Sequence, residues 1–176
     1  MEEIVVVSCT NRPNSNTLKV SKIYSEILKS KNVSVKILDF CDLPNNIAFG
    51  EVFGKRSETY AAFLEKYIVN NHKFIFVVPE YNGSFPGLLK LFLDTTHPKL
   101  WTNKEVCLVG VSLGRAGNLR GMDQLTGIFN FLKVHVFHNK LPISGIDKLF
   151  DDQDNFNNAD QLAVCTNQIE SFIANR

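Results

Sequence analysis

The segment Pro79-Glu80-Tyr81-Asn82-Gly83-Ser84-Phe85-Pro86-Gly87-Leu88-Leu89-Lys90 gathers backbone freedom, polar groups and an aromatic ring into one short stretch. Asn82-Gly83 supplies the positions of positive φ that a tight turn needs. Glycine there also removes the side chain that would hold a flat ligand away from the backbone. The stretch follows an apolar run, Phe74-Ile75-Phe76-Val77-Val78, and leads into a helix-like pattern, Leu88, Leu89, Phe92, Leu93. Loops of this kind, outside the carboxyl ends of strands, are where open α/β folds bind their ligands.

Two further polar loops follow apolar runs. Cys9-Thr10-Asn11-Arg12-Pro13-Asn14-Ser15-Asn16-Thr17 comes after Ile4-Val5-Val6-Val7 and opens a helix. The first amides of a helix are unpaired and attract anions. Thr10, Ser15 and Thr17 add hydroxyls, Asn16 an amide, and Arg12 a fork that suits a phosphate. The same residues also make an ordinary capped helix start, with Ser15 as N-cap and Arg12 in solvent. The third loop, Ser112-Leu113-Gly114-Arg115-Ala116-Gly117-Asn118, follows Val106-Cys107-Leu108-Val109-Gly110-Val111. It is either a plain strand-to-helix turn or a third wall of the same site.

The elements that must position these loops alternate along the chain. Strands are expected at Ile4–Ser8, Val33–Phe40, Lys73–Val78, Val106–Val111 and Val134–Phe137. Helices are expected at Ser15–Lys31, Ser57–Asn71, Ser84–Thr96 (with Pro86 in its first turn), Leu119–Leu132 and Asn158–Ala174. Residues 44–56 read as a loop. Five strands alternating with helices imply a single α/β domain with a doubly wound parallel sheet. The order 2-1-3-4-5 would bring the three loops together, with the switch point between strands one and three.

On these residues the chain resembles the NAD(P)H-dependent FMN reductase family, flavodoxin-like flavoproteins that include quinone, azo and chromate reductases. That family carries G-S-x-R-x-x-S after strand one, P-E-Y-N-x-S-x-P-G-x-L-K-N after strand three and a glycine-rich loop after strand four. The resemblance spans nearly the whole chain, and the second motif is the specific one. It places the family's serine, arginine and second serine on Thr10, Arg12 and Ser15, beside Asn16 and Thr17, as the holders of a flavin phosphate. Pro79, Glu80, Tyr81, Asn82, Gly83 and Ser84 would meet the isoalloxazine ring, and Ser112, Gly114, Arg115 and Gly117 its other edge. The chain departs from the family at Cys9, where a glycine is usual, and after Lys90, where Leu91-Phe92-Leu93-Asp94-Thr95 keeps only the aspartate of Asn-Ala-Ile-Asp-Trp. The resemblance implies FMN as cofactor, NADPH or NADH as co-substrate, a small-molecule electron acceptor, and a homodimer or tetramer built on the helix after the second loop. Leu88, Leu89, Leu91, Phe92 and Leu93 make that helix apolar around more of its circumference than one core face requires.

Composition agrees with a soluble globular chain. The 176 residues carry a formal net charge of +1, which offers no electrostatic case for nucleic acid or membrane binding. No apolar run approaches a membrane span, and Met1-Glu2-Glu3 lacks the basic segment of a secretory signal. Cys9, Cys41, Cys107 and Cys165 form neither a C-x-x-C pair nor a zinc spacing, so a cytoplasmic location is expected. Gly110-Val111-Ser112-Leu113-Gly114 matches the nucleophile elbow of hydrolases. A histidine is missing from the C-terminal segment, and His135 and His138 fall on a strand with opposite facings. A phosphatase loop on Cys9 would need an arginine farther away than Arg12. Asp151, Asp152 and Asp154 read as a solvated turn. Within the expected fold, an electron-carrier flavodoxin would be strongly acidic, which this chain is not. A cofactor-free binding protein on the same fold is the remaining alternative.

Overall fold

The structure is a computed structural model that describes residues 3–53, 55–151 and 153–175. Met1, Glu2, Gly54, Asp152 and Arg176 lie outside it, and with them the expectations placed on Met1, Glu2 and Asp152. The runs of Val, Ile and Phe form the central strands Ile4–Ser8 (β1), Lys73–Pro79 (β3) and Glu105–Val111 (β4). β1 and β3 are buried along their entire length, as strands covered by helices on both faces must be. The half-buried Val35–Asp39 (β2) lies at the edge, where its alternating pattern placed it. All pairings are parallel, in the order β2-β1-β3-β4 and then the fifth position. This is the expected doubly wound order. In this register Ser8 stands beside Val77, and Pro79 beside Val111, so three strands end at one edge.

Alternate residues of the central strands feed two cores. Val5, Val7, Phe74, Phe76 and Leu108 point to one face. They pack there with Leu89 and Phe92 of Gly87–Asp94 (α3), Met122, Leu125 and Phe129 of Leu119–Phe131 (α4), and Trp101. The shorter helix Glu58–Leu64 (α2) adds Tyr60 and Leu64. Ile4, Val6, Ile75 and Val109 point the other way. They meet Val20, Tyr24 and Leu28 of Asn16–Ser30 (α1) and Ile169 and Phe172 of Ala159–Ala174 (α5). Each fully buried Phe or Leu contributes about 1.5–3 kcal/mol, so these cores hold the sheet edge in place.

Several boundaries differ from the sequence expectation. The fifth position in the sheet is shared by two short pieces, His135–Val136 (β5) beside the start of β4 and Leu141–Ile143 (β6) beside its end. Between them the chain leaves the ladder, because Phe137 packs on Phe172 at 5.4 Å and the Asn139 carbonyl accepts a hydrogen bond from Gln168 at 2.7 Å. Within 44–56, the segment Ile47–Glu51 winds into a π-helical turn rather than an open loop. Helix α2 likewise widens into a π turn over Glu65–Val69. Helix α3 begins at Gly87, with Pro86 as an extended cap rather than a first-turn residue. Its apolar surplus is also smaller than expected. Leu89, Phe92 and Leu93 are buried in the chain's own core, which leaves Leu88 and Leu91 half-buried.

Candidate functional site

Beyond the carboxyl ends of β1, β3 and β4 the three loops surround a cavity of about 330 Å³. Its walls are Arg12, Asn14, Ser15, Asn16 and Thr17 from the first loop, Pro79, Glu80 and Tyr81 from the second, and Val111, Ser112 and Leu113 from the third. Ile146 closes it from the segment after β6.

The first loop ends as a helix N-terminus. The Ser15 hydroxyl caps α1 by accepting from the Leu18 amide at 3.1 Å, so the ordinary role of this serine is realised. The cap leaves the amides of Asn16 and Thr17 without an acceptor among the described residues, and the first turn of α1 has no acidic residue. Both features favour an anion. Arg12 is exposed, and its guanidinium meets no carboxylate among the described residues. Thr10 behaves differently from its neighbours. It is buried, its hydroxyl accepts from the Arg12 amide at 3.2 Å, and it shares a 2.7 Å hydrogen bond with the Tyr81 hydroxyl. It therefore ties the first loop to the second and does not line the cavity. Cys9, in the place of the family glycine, turns its thiol into the core and donates to the Val7 carbonyl at 3.4 Å. Burial pushes this thiol well above its ordinary pKa. A buried protonated thiol is no nucleophile.

The second loop is a two-residue hairpin. Tyr81 and Ser84 exchange backbone hydrogen bonds at 2.9 and 3.1 Å across Asn82 (φ 52°) and Gly83 (φ 78°). Paired positive φ values define the primed turn that Asn-Gly favours. The Glu80 amide is spent on the Val111 carbonyl at 2.9 Å. Of the six residues expected to meet a ring, Pro79 has no amide hydrogen, and only Asn82 and Gly83 keep amides without an acceptor among the described residues. The Ser84 hydroxyl donates to Gln124 on α4.

The third loop is shaped by Ser112. Its hydroxyl donates to the Gly114 carbonyl at 2.8 Å and accepts from the Gly117 amide at 3.0 Å. That double engagement argues against a nucleophile elbow. His135 is also remote: it stands beside Glu105, at the other end of β4, and six strand residues of about 3.3 Å each separate that end from Val111. Gly114 and Arg115 are exposed and lie off the cavity wall, as do Asn82, Gly83, Ser84 and the buried Gly117. Asn118 was not foreseen as a site residue. It is buried in a left-handed conformation, and its amide donates to the carbonyls of Val78 and Pro79 at 3.0 and 3.1 Å. It thereby clamps the start of α4 to the end of β3. The unforeseen members of the cavity wall are Asn14, with φ 52°, Val111, Leu113 and Ile146. The run Arg12-Pro13-Asn14 carried a turn signal, whereas nothing near Ile146 in the sequence announced it.

The donor set suits FMN. Open helix amides and a free guanidinium match a phosphate, and the open amides of the primed turn, which lies beyond the cavity wall, match the edge of a ring that extends past it. A parallel sheet in this order, with a cavity beyond the strand ends at the switch between β1 and β3, is a flavodoxin-like fold. Residues 3–147 match the NADPH-dependent FMN reductases, and the chain belongs to that family. It is an oxidoreductase with FMN as cofactor and NAD(P)H as co-substrate. Among its relatives, a quinone reductase of Pseudomonas putida is 30% identical over 163 residues, covering 88% of this chain and 84% of that protein. A 2-hydroxy-1,4-benzoquinone reductase of Burkholderia sp is 27% identical over 134 residues, 74% of this chain and 70% of that one. The flavoenzyme NAD(P)H:(acceptor) oxidoreductase FerB of Paracoccus denitrificans shares the fold at a TM-score of 0.83 with 17% identity, over 99% of this chain and 96% of that one.

Proposed function

We propose that this protein reduces a small-molecule acceptor at the expense of NAD(P)H, with quinones as the acceptor class to test first. The observation that carries the reading is the cavity itself. It joins anion-binding amides and a free guanidinium to an apolar rim of Pro79, Val111, Leu113 and Ile146. The names of two relatives, both quinone reductases, support the acceptor class. FMN supplies the redox chemistry when bound, taking electrons from the nicotinamide and handing them to the acceptor.

The chain's residues then have these tasks. Arg12 and the amides of Asn16 and Thr17 bind the phosphate, and Ser15 fixes the helix start that aims them. Asn82 and Gly83 offer amides to the ring edge, where a donor favours the electron-rich form. Pro79, Glu80 and Ser84 set the course of that loop. Thr10 and Tyr81 lock the first two loops together, and Tyr81 shields the cavity from water. Ser112, Gly114 and Gly117 shape the third wall, with Arg115 as a nearby cation. The half-buried Leu88 and Leu91 and the exposed Phe131 on α4 support a homodimer, or a dimer of dimers, built over α3 and α4. A cytoplasmic location fits the free cysteines, of which three are buried.

Anaerobic stopped-flow tests the reading. NADH or NADPH should bleach the yellow holoprotein, and steady-state lines at several quinone concentrations should run parallel. Bleaching slower than about once per minute, far below usual turnover, would indicate an electron carrier instead. A monomer by light scattering at micromolar concentration would remove the dimer.

A further inference from the structure

The π-helical turn Ile47–Glu51 and the two residues after it form an aromatic arm. Phe49 and Phe53 stand four residues apart on it, and each is 95% exposed. The arm is nevertheless anchored at its base. Ile47 is buried, and the buried Glu51 carboxylate accepts from the amide and the hydroxyl of Ser57 at 3.0 and 2.7 Å. Arg56 donates to the Thr95 carbonyl at the end of α3. Large apolar surface held out in water in this way marks a contact surface.

On the same face of the sheet, α3 and α4 enclose a groove of about 520 Å³. Lys90, Leu93 and Asp94 form one wall and Gly127, Ile128 and Leu132 the other. Phe131, 82% exposed, stands beside them. The arm lies on the opposite flank of α3, where Ile47 and Leu88 line one small cavity and Arg56 reaches Thr95. At about 3.6 residues per turn, Leu88 and Thr95 fall on one side of the helix, and Lys90, Leu93 and Asp94 on the other. The half-buried Leu91 lies between the two flanks.

This layout is self-complementary. A two-fold axis over α3 carries the arm of each copy onto the groove of the other, as an isologous interface requires. Phe49, Phe53 and Phe131 together bring about 450–750 Å² of ring surface per copy, the larger part of the roughly 800 Å² per partner in a standard interface. The groove also shares a wall with the second loop, because Gln124 lines it and accepts from the Ser84 hydroxyl. We propose that a second copy of this chain occupies the groove, each copy seating Phe49 and Phe53 between α3 and α4 of its partner. The inference rests on the homodimer reading and names the contact that makes the dimer.

Sedimentation velocity on the full chain tests it. The unaltered chain is expected to run as a dimer at micromolar concentration. Phe49→Ser with Phe53→Ser removes the arm's rings. Gly127→Trp fills the groove, at a position where a Cβ meets nothing within 4 Å. Each variant should raise the dimer dissociation constant at least about 100-fold, the scale of losing anchor residues at an interface. Both should keep the circular dichroism of the unaltered chain and a cooperative melt, since neither change enters the core. An equal mixture of the two should form a heterodimer, because one copy still offers an arm and the other a groove. A dimer that survives either variant, or a mixture that stays monomeric, overturns the inference and leaves the homodimer reading standing. A monomeric unaltered chain overturns both.

Discussion

Replacing Arg12 by alanine separates phosphate binding from ring binding. The side chain is exposed and holds no carboxylate among the described residues. Its loss should therefore change folding stability by less than about 0.5 kcal/mol. Toward FMN the loss is that of a charge-assisted hydrogen bond, about 1.5–3 kcal/mol. At about 1.4 kcal/mol per tenfold, FMN affinity should fall roughly 10- to 150-fold. The amides of Asn16 and Thr17 remain, so binding should weaken without vanishing. Riboflavin lacks the phosphate, and its affinity should stay within about twofold, the scatter of a distant surface change. Arg12→Lys keeps the charge without the planar fork and should fall between the two. Fluorescence titration of the flavin-free protein with each ligand gives both constants from one preparation. Equal weakening of FMN and riboflavin would show that Arg12 touches the ring or supports the loop, and the phosphate assignment would be wrong.

Three further outcomes are expected. Gly117→Ala would place a Cβ 2.5 Å from Pro142 Cβ at a φ of +54°. It should cost about 2–4 kcal/mol and lower Tm by roughly 5–15 °C, and an unchanged melting curve would contradict the packing described. Tyr24→Phe removes the donor that holds the Gln168 carbonyl oxygen at 2.6 Å in the core, so denaturant titration should show a loss of about 1–3 kcal/mol. A disulfide reagent should find one fast thiol in the native protein, Cys41, and four after denaturation, because Cys9, Cys107 and Cys165 are buried. The Cys41 rate should still be rising above pH 8.5, an ordinary thiol's midpoint. Partial burial, followed by the nearby Asp39 carboxylate, raises its pKa, so less thiolate is present at a given pH.

The central strands were legible because buried parallel strands must be apolar on both faces, and three such runs left little ambiguity. The Asn82-Gly83 hairpin was legible because few residue pairs accept two successive positive φ values. Tertiary competition was not legible. Thr10 carried the signature of a phosphate donor, yet its hydroxyl is held by Tyr81, 71 positions away. Glu80, Tyr81 and Ser84 were expected to meet the ring, but the register with Val111 and the hairpin itself use their amides. The break in the fifth strand depends on Phe137 and Asn139 finding partners on α5, which periodicity does not encode. Ile146 reaches the cavity only because β6 pairs with the end of β4.

The split fifth strand bears on how the molecule behaves at high concentration. A long open strand edge is a template for cross-β aggregation. Here one edge consists of two pieces, His135–Val136 and Leu141–Ile143, too short and too interrupted to seed a ladder. The opposite edge, Val35–Asp39, carries Lys36 held beside Glu3, and a lysine on an edge strand discourages a further strand from docking. Fibril growth from the folded state is thus blocked on both sides of the sheet. It would first require β4 or β1 to be uncovered, and that means opening the core.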